Sequence, residues 1–337
     1  MIVAARDGGE AGALQQAIDT EILPRLPALE DRRAALGGTV WRDAVLLSFG
    51  ASFAAGIFGA NDAPEVVPFI LIGAVGLGLW LHALRRAQWQ AVLTDAVMPV
   101  ICRCLGNTRY RHLGDPQPLT EFEALGLIGA ARYRTLLHSM QGRRGDTAFT
   151  AQHATLSRTR GRRGPATRVF HGLLLDIGVA QRPPSRIIIA PAGGFATQIL
   201  AGIARPLLPP AYEQVQTGDA AFDARFQVVI PPQGATVAER VRAYLTPAFR
   251  AALLDIDTEE AGGAPGRGGL RAAFEGDRFL LAVPRVQRIG VGPLAVERAR
   301  PFLDPGGVLY LPDLETTVRE MAEEATIPHR IVDRLAG

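Results

Sequence analysis

Two stretches without a single acidic or basic side chain stand almost back to back, at 44–60 (AVLLSFGASFAAGIFGA) and 66–84 (VVPFILIGAVGLGLWLHAL), with His82 as their one titratable group. As helices they would reach about 25 and 28 Å, close to the ~30 Å of a bilayer's hydrocarbon layer. Trp41 before the first and Trp80 near the end of the second suit the membrane–water interface, and His82 reads as an interfacial group near Arg85. The segment between them, NDAPE at 61–65, is polar. A buried helical hairpin in a soluble protein has no need of two such stretches in succession with basic flanks, so the membrane is the expected surrounding.

The flanks orient the pair. Arg32, Arg33 and Arg42 precede the first stretch, Arg85 and Arg86 follow the second, and the turn carries Asp62 and Glu65 but no Arg. The positive-inside rule then places both termini in the cytoplasm and the turn outside. Small residues recur every four positions in the first stretch (Ala44, Ser48, Ser52, Gly56, Ala60), and this spacing predicts a close helix–helix seam. Homo-oligomerisation through the ladder is a further expectation.

All 36 basic residues are Arg. Without Lys there is no Schiff base, no complete Walker A loop and no kinase-type ATP lysine. The Lys-free, Ala- and Gly-rich composition has the look of a GC-rich genome, so Arg is not read as selected for bidentate recognition. The charge is uneven: residues 85–168 carry 14 Arg against 5 acids, whereas residues 1–84 carry 5 against 9. A basic block that starts where the second stretch ends fits an anionic cytoplasmic leaflet. Arg85, Arg86, Arg160, Arg162 and Arg163 are therefore the candidate lipid-headgroup residues. Nucleic acid is not expected as a partner, because no nucleic-acid-binding motif accompanies the Arg run.

Around the apolar pair the chain divides into an N-terminal amphipathic helix and irregular lead-in (1–43), the hairpin (44–84), a basic helical neck (85–145) and a cytoplasmic α+β domain (146–337). The neck is expected as one helix over 87–106, kinked or broken near Pro99, and another over 119–140. Residues 147–158 alternate as a strand and 166–176 read as its partner, joined by an Arg/Gly turn. Strands are also expected near 185–190 and over 225–231, a helical pair over 236–254 split at Pro247, a flexible loop at 262–269, and a hairpin over 270–284 turning at Glu275-Gly276-Asp277. A last helix over 314–335 should break at Pro328.

The chemistry-bearing residues form few patterns. Cys102 and Cys104 read as reduced thiols on a helix; the spacing is short for a disulfide and supplies too few ligands for zinc. No metal site and no cofactor is expected. The six His show no metal-binding spacing. His153 and His171 fall on the two paired strands, where they could face one another with Asp176 or Asp146 as the nearest acids, but they read as ordinary sheet-surface histidines. Gly193-Gly194-Phe195 reads as a tight turn rather than a phosphate loop. Asp255, Asp257, Glu259 and Glu260 read as a solvated acidic turn rather than a calcium site.

A resemblance covers most of the chain. ATRVFHGLLLDI, with Phe170, Gly172 and Leu173, is similar to a motif of the DUF3137 family of unknown function. The later block containing Asp219, Phe222, Phe226, Val228, Leu245, Thr246 and Pro247 resembles the same family, as does LRAAFEGDRFLLAVP. The run Leu173-Leu174-Leu175-Asp176-Ile177 and the segment Phe302-Leu303-Asp304-Pro305 depart from its pattern, as in a divergent member. The resemblance implies a bacterial membrane protein with a cytoplasmic domain. It transfers no catalytic residue, and the matched residues look structural, as core aromatics and turn glycines. The expected role is a non-enzymatic adaptor or assembly module of the bacterial inner membrane that binds a protein partner. The alternatives are a membrane-associated enzyme around His153 and His171, and an anionic-lipid sensor.

Overall fold

The computed structural model describes residues 7–60, 64–106, 108–159, 166–192, 212–261, 269–289, 296–299, 302–303 and 313–336. The chain divides into two compact units, Ala11–Cys104 with Asp304–Glu323, and Met1–Glu10 with Leu105–Leu303 and Glu324–Gly337. The whole is α+β, with two long apolar helices preceding a mixed region built on one large antiparallel sheet.

In the helical unit, α1 (Asp7–Ala17) passes through a π-helical turn at Ile18–Ile22 and a 3-10 turn at Leu23–Arg25 into α2 (Leu26–Ala60). The lead-in expected to be irregular is thus helical. Pro24 and Pro27 fall in the first turns of their segments, where a missing N–H removes no bond. Ile18 and Ile22 are buried, and Glu21 pairs with Arg103. The partner helix α3 (Val67–Cys104) continues through Pro99. Trp89, Leu93, Val97, Met98 and Ile101 are buried on it, and that packing outweighs the ~3 kcal/mol a helix-interior proline costs.

Both the helical stretch Gly12–Phe58 and α3 are long and apolar enough to cross a membrane, and none of the most apolar window of either is buried. Phe49, Phe53, Phe69 and Ile72 are 73%, 73%, 74% and 69% exposed. The seam between α2 and α3 lies one residue away from the expected ladder. Ala44, Ser48, Ser52 and Gly56 are exposed, whereas Asp43, Leu47, Ala51 and Ala55 are the more covered positions. On α3 the covered positions include Ile70, Ala74, Gly78 and His82. A Cβ on Gly78 would lie 3.7 Å from Leu47, so the glycine sits where the helices approach. The offset has a physical basis: Leu47 supplies more contact area than the serines do.

The sheet unit contains β1 (Arg109–Leu113), α4 (Gln117–Ala124), β2 (Tyr133–Arg144), β3 (Thr147–Thr159), β4 (Ala166–Gly178), β5 (Ile187–Pro191) and β6 (Glu213–Val215). There follow α5 (Ala220–Arg225), β7 (Phe226–Ile230), α6 (Ala235–Tyr244), α7 (Pro247–Glu259), β8 (Arg271–Glu275) and β9 (Arg278–Pro284). β10 (Val286–Ile289) and β11 (Val296–Ala299) make a separate ribbon, and α8 (Leu314–Ala336) is the last helix. The nine strands run in the order β1-β2-β3-β4-β9-β8-β5-β7-β6, with every neighbouring pair antiparallel.

The helix expected over 119–140 is instead α4 followed by β2. The Gly126 N–H bonds Glu123 O and the Leu127 N–H bonds Phe122 O, a Schellman stop with Gly126 at φ +68°. Gly129 then lies so close to Val169 that a Cβ would sit 2.5 Å from its Cγ1. The boundary placed at 145/146 consequently falls inside the β2–β3 hairpin, where Arg144 pairs with Thr147. Pro328 is likewise contained within α8, whose Ile327, Ile331 and Val332 are buried. The loop expected at 262–269 lies, apart from Gly269, outside the described residues.

Other expectations hold where turn chemistry is explicit. β3 and β4 pair from Phe149↔Ile177 to Thr159↔Ala166, with a shift of register at Leu156/Ser157, and β8 and β9 join through Gly276-Asp277, with Gly276 at φ +64°. Thr246 caps α7 by accepting from the Phe249 N–H, and Pro247 occupies its first turn. Cross-strand partners share a face. One face carries Ala154, Leu156, Phe170, Leu174, Ala273 and Leu280, packed with Leu119 and Phe122 of α4. On the other, Phe274, Phe279 and Phe249 of α7 make an aromatic cluster with centroids 4.5–5.5 Å apart.

Candidate functional site: a buried histidine row

Four histidines on four adjacent strands form a row within the sheet unit: His112 on β1, His138 on β2, His153 on β3 and His171 on β4. The expected pairing of His153 with His171 is diagonal rather than direct. His153 opposes Leu173 and His171 opposes Thr155, yet the two rings meet edge to face with centroids 4.6 Å apart. His112 meets His138 in the same manner at 5.3 Å.

His138 joins the row because the backbone bulges. The β2–β3 register shifts between Leu137 and Met140, and His138 has φ +53°, a left-handed conformation that costs a non-glycine residue about 1 kcal/mol or more. The Tyr110 hydroxyl lies 2.7 Å from His138 Nδ1 and the Thr155 hydroxyl 2.9 Å from His171 Nδ1. Phe302 covers the row, with its ring 6.4 Å from His138 and 6.3 Å from His153.

The charged end of the row is Arg285, whose side chain is 0% exposed. Its backbone N–H bonds His171 O, its guanidinium lies 5.5 Å from the Phe302 ring, and its Nη2 donates to Glu324 Oε1 at 2.9 Å. The other oxygen of Glu324 accepts from the Leu303 N–H at 2.6 Å. One carboxylate on α8 thus fastens both the arginine and the segment that lids the row. Gly172 makes this approach possible: a Cβ there would fall 2.1 Å from Val283 O and 2.9 Å from the Arg285 nitrogen.

Burial keeps His138 and His153 neutral, and His153 and His171 are not the sheet-surface side chains expected. Burial pushes His138 down to about 4, helped by His112. Burial also pushes His153 down to about 3, helped by His171, His138 and Arg285. His153 Nε2 and His112 Nδ1 are buried without a hydrogen-bond partner among the described residues. Chemically, the row places imidazoles and hydroxyls in contact beside an ion pair whose arginine is fully buried.

The acids expected near the two histidines are elsewhere. Asp176 lies on the opposite sheet face, opposing Leu280, and accepts from Arg278 Nε at 2.8 Å. Asp146 lies in the β2–β3 turn, where its carbonyl accepts from Arg143. Glu324 is the acid that arrives, from a helix far beyond His171 in the chain. No local signal links them, and His138 sits in a segment whose residue pattern predicts a helix.

The acidic group after residue 254 is not a solvated turn throughout. Asp257 is 1% exposed on its side chain, pairs with Arg225 and accepts from the Leu270 N–H at 3.0 Å. Glu259 and Glu260 bond Arg334 and Arg330 of α8. Among the described residues no three His, Cys, Asp or Glu side chains are grouped so as to hold a metal ion. Cys102 is a buried free thiol and Cys104 a half-buried one.

Of the headgroup candidates, Arg86 is exposed and Arg85 lies on α3 with one nitrogen 3.6 Å from Asp43. Arg160, Arg162 and Arg163 lie outside the described residues, as does Gly193-Gly194-Phe195. The family-like positions are structural in kind: Phe222 and Phe226 are buried, and Asp219 caps α5. Gly172, however, serves a close approach in mid-strand rather than a turn. Comparison with models of known families, with curated proteins and with solved structures finds no match for this chain.

Proposed function

We propose that the chain is a membrane-anchored, non-enzymatic adaptor or assembly module of the bacterial inner membrane, a divergent relative of DUF3137, whose sheet unit binds a protein partner near the inner leaflet. The observation that carries the reading is the exposure of the apolar side chains of α2 and α3, Phe49, Phe53, Phe69 and Ile72 among them. Contiguous apolar surface of this kind calls for lipid or a partner. The Arg residues flanking both stretches support a two-pass anchor with cytoplasmic termini.

The binding half of the reading is supported by β1. It lies at the edge of the sheet and, among the described strands, is bonded on one side only. Arg109 and Arg111 are exposed on it. An extended acidic segment of a partner could add there as a further strand. The burial of His138, His153 and His171 favours this reading over the enzyme alternative, with Phe302 lying against the first two.

Cross-linking and pull-down from native membranes test the proposal, comparing the full chain with a version lacking residues 44–84. A stoichiometric protein partner lost with the hairpin supports it. Release of the full chain by alkaline wash of membranes overturns the anchor, and recovery of the chain with lipid and itself alone overturns the adaptor role.

A further inference from the structure

The groove between α2 and α3 has an acid at its mouth whose nearest donors, Arg85 and Arg42, stand at ion-pair rather than hydrogen-bond distance. The groove encloses about 290 Å³ and is lined by Val40, Ala44, Leu47, Gly78 and Leu81, with Asp43, His82 and Arg85. Asp43 is only 18% exposed on its side chain. Arg85 approaches it to 3.6 Å and Arg42 to 3.7 Å, both beyond hydrogen-bond reach. Arg85 directs its Nη1 to Gln88 Oε1 instead, at 3.2 Å. A carboxylate this covered ordinarily holds hydrogen-bond donors.

We propose that this groove binds one phospholipid with a primary-amine, ethanolamine-type headgroup. The site rests on the membrane anchor proposed above and deepens it. The mouth offers a carboxylate acceptor flanked by two guanidinium donors, which is the complement of an ammonium attached to a phosphate. The ammonium donates to Asp43, and the phosphate accepts from Arg85 and Arg42. An acyl chain follows Leu47 and Leu81 along the groove wall beside Gly78. A choline headgroup carries no N–H for Asp43, and a glycerol headgroup brings no cation to it.

The test uses the full-length protein in nanodiscs or detergent, with native mass spectrometry of retained lipid. The probes are phosphatidylethanolamine, phosphatidylcholine and phosphatidylglycerol of matched chains. Retention of the ethanolamine lipid should exceed that of the other two by about tenfold, the worth of one charge-assisted hydrogen bond. Asp43→Asn should abolish the preference. Gly78→Leu, which fills the groove, should lower retention of all three lipids. Equal retention, a preference for the glycerol lipid, or an unchanged preference in Asp43→Asn overturns the site. Alkaline wash of membranes separates the two failures: protein that stays in the pellet without lipid preference overturns the site alone, whereas protein that washes off overturns the anchor as well.

Discussion

Phe53 and Phe279 are the same side chain in opposite circumstances. Phe53 of α2 is 73% exposed, whereas Phe279 of β9 is 1% exposed among Phe249 and Phe274. The sheet unit packs its phenylalanines between layers. The helix pair does the reverse, with small residues and Leu47 at its seam and aromatics outward. A soluble unit of that design would be driven to aggregate. On the membrane anchor proposed above, the contrast means that the two units are matched to different solvents.

The sharpest way to break the comparison is to truncate both phenylalanines. Phe279→Ala should cost the sheet unit about 3–5 kcal/mol, through lost burial and the cavity left behind. Phe53→Ala should leave its thermal transition in place. Equal shifts in differential scanning would mean that the two surfaces are not different in kind.

The ion pair comes next. Arg285→Met or Glu324→Gln alone removes one side of a pair whose arginine is fully buried and should destabilise by about 3 kcal/mol. The double variant should recover part of that loss in denaturant titrations, because both charges of the pair are then removed together. Strict additivity would mean the two groups do not act on one another.

Acid should separate the units again. His138 and His153 sit at about 4 and about 3, below the 6.5 of a free imidazole. The unfolded chain therefore binds more protons, and their contribution is fully present above pH 6.5 and lost as pH falls toward those values. Stability of the sheet unit should drop by a few kcal/mol between pH 6.5 and pH 4, each tenfold difference in proton affinity being worth ~1.4 kcal/mol. His153→Gln should flatten the slope, and a slope identical to that of the unaltered protein would refute the role assigned to the row. The smallest effect is Thr246→Ala, which removes the cap of α7 and should cost about 1 kcal/mol by the same denaturant titration.

How much of this is legible in the residues depends on whether the pattern stays in phase. β3 alternates along its sequence, β4 follows as its partner, and Gly276 marks the β8–β9 turn, so those elements can be read directly. β2 cannot. Its bulge at Leu137–Met140 adds a residue, and Tyr133, Leu136, Leu137 and Met140 then fall at helical spacings. The same bulge delivers His138 to the row, so one irregularity conceals both a strand and half of the site. Arg285 and Glu324 carry no local signature; only the sheet order and the path of the last helix bring them together. The hairpin's seam stands one residue off the small-residue ladder, because small side chains permit close approach without themselves supplying the contact.

The pairing of β4 with β9 also sets a schedule for synthesis. Gly172 to Gly178 of β4 find their partners in Arg278 to Pro284, on a strand made long afterwards. On the ribosome, β1 to β4 can assemble as a meander soon after they emerge, by contacts between neighbours in the chain. The free side of β4 must then wait while β5 to β8 are translated. A strand edge left open for that interval is a template for the wrong partner. Slowing translation between residues 178 and 278 should therefore lengthen the period in which nascent chains associate through β4.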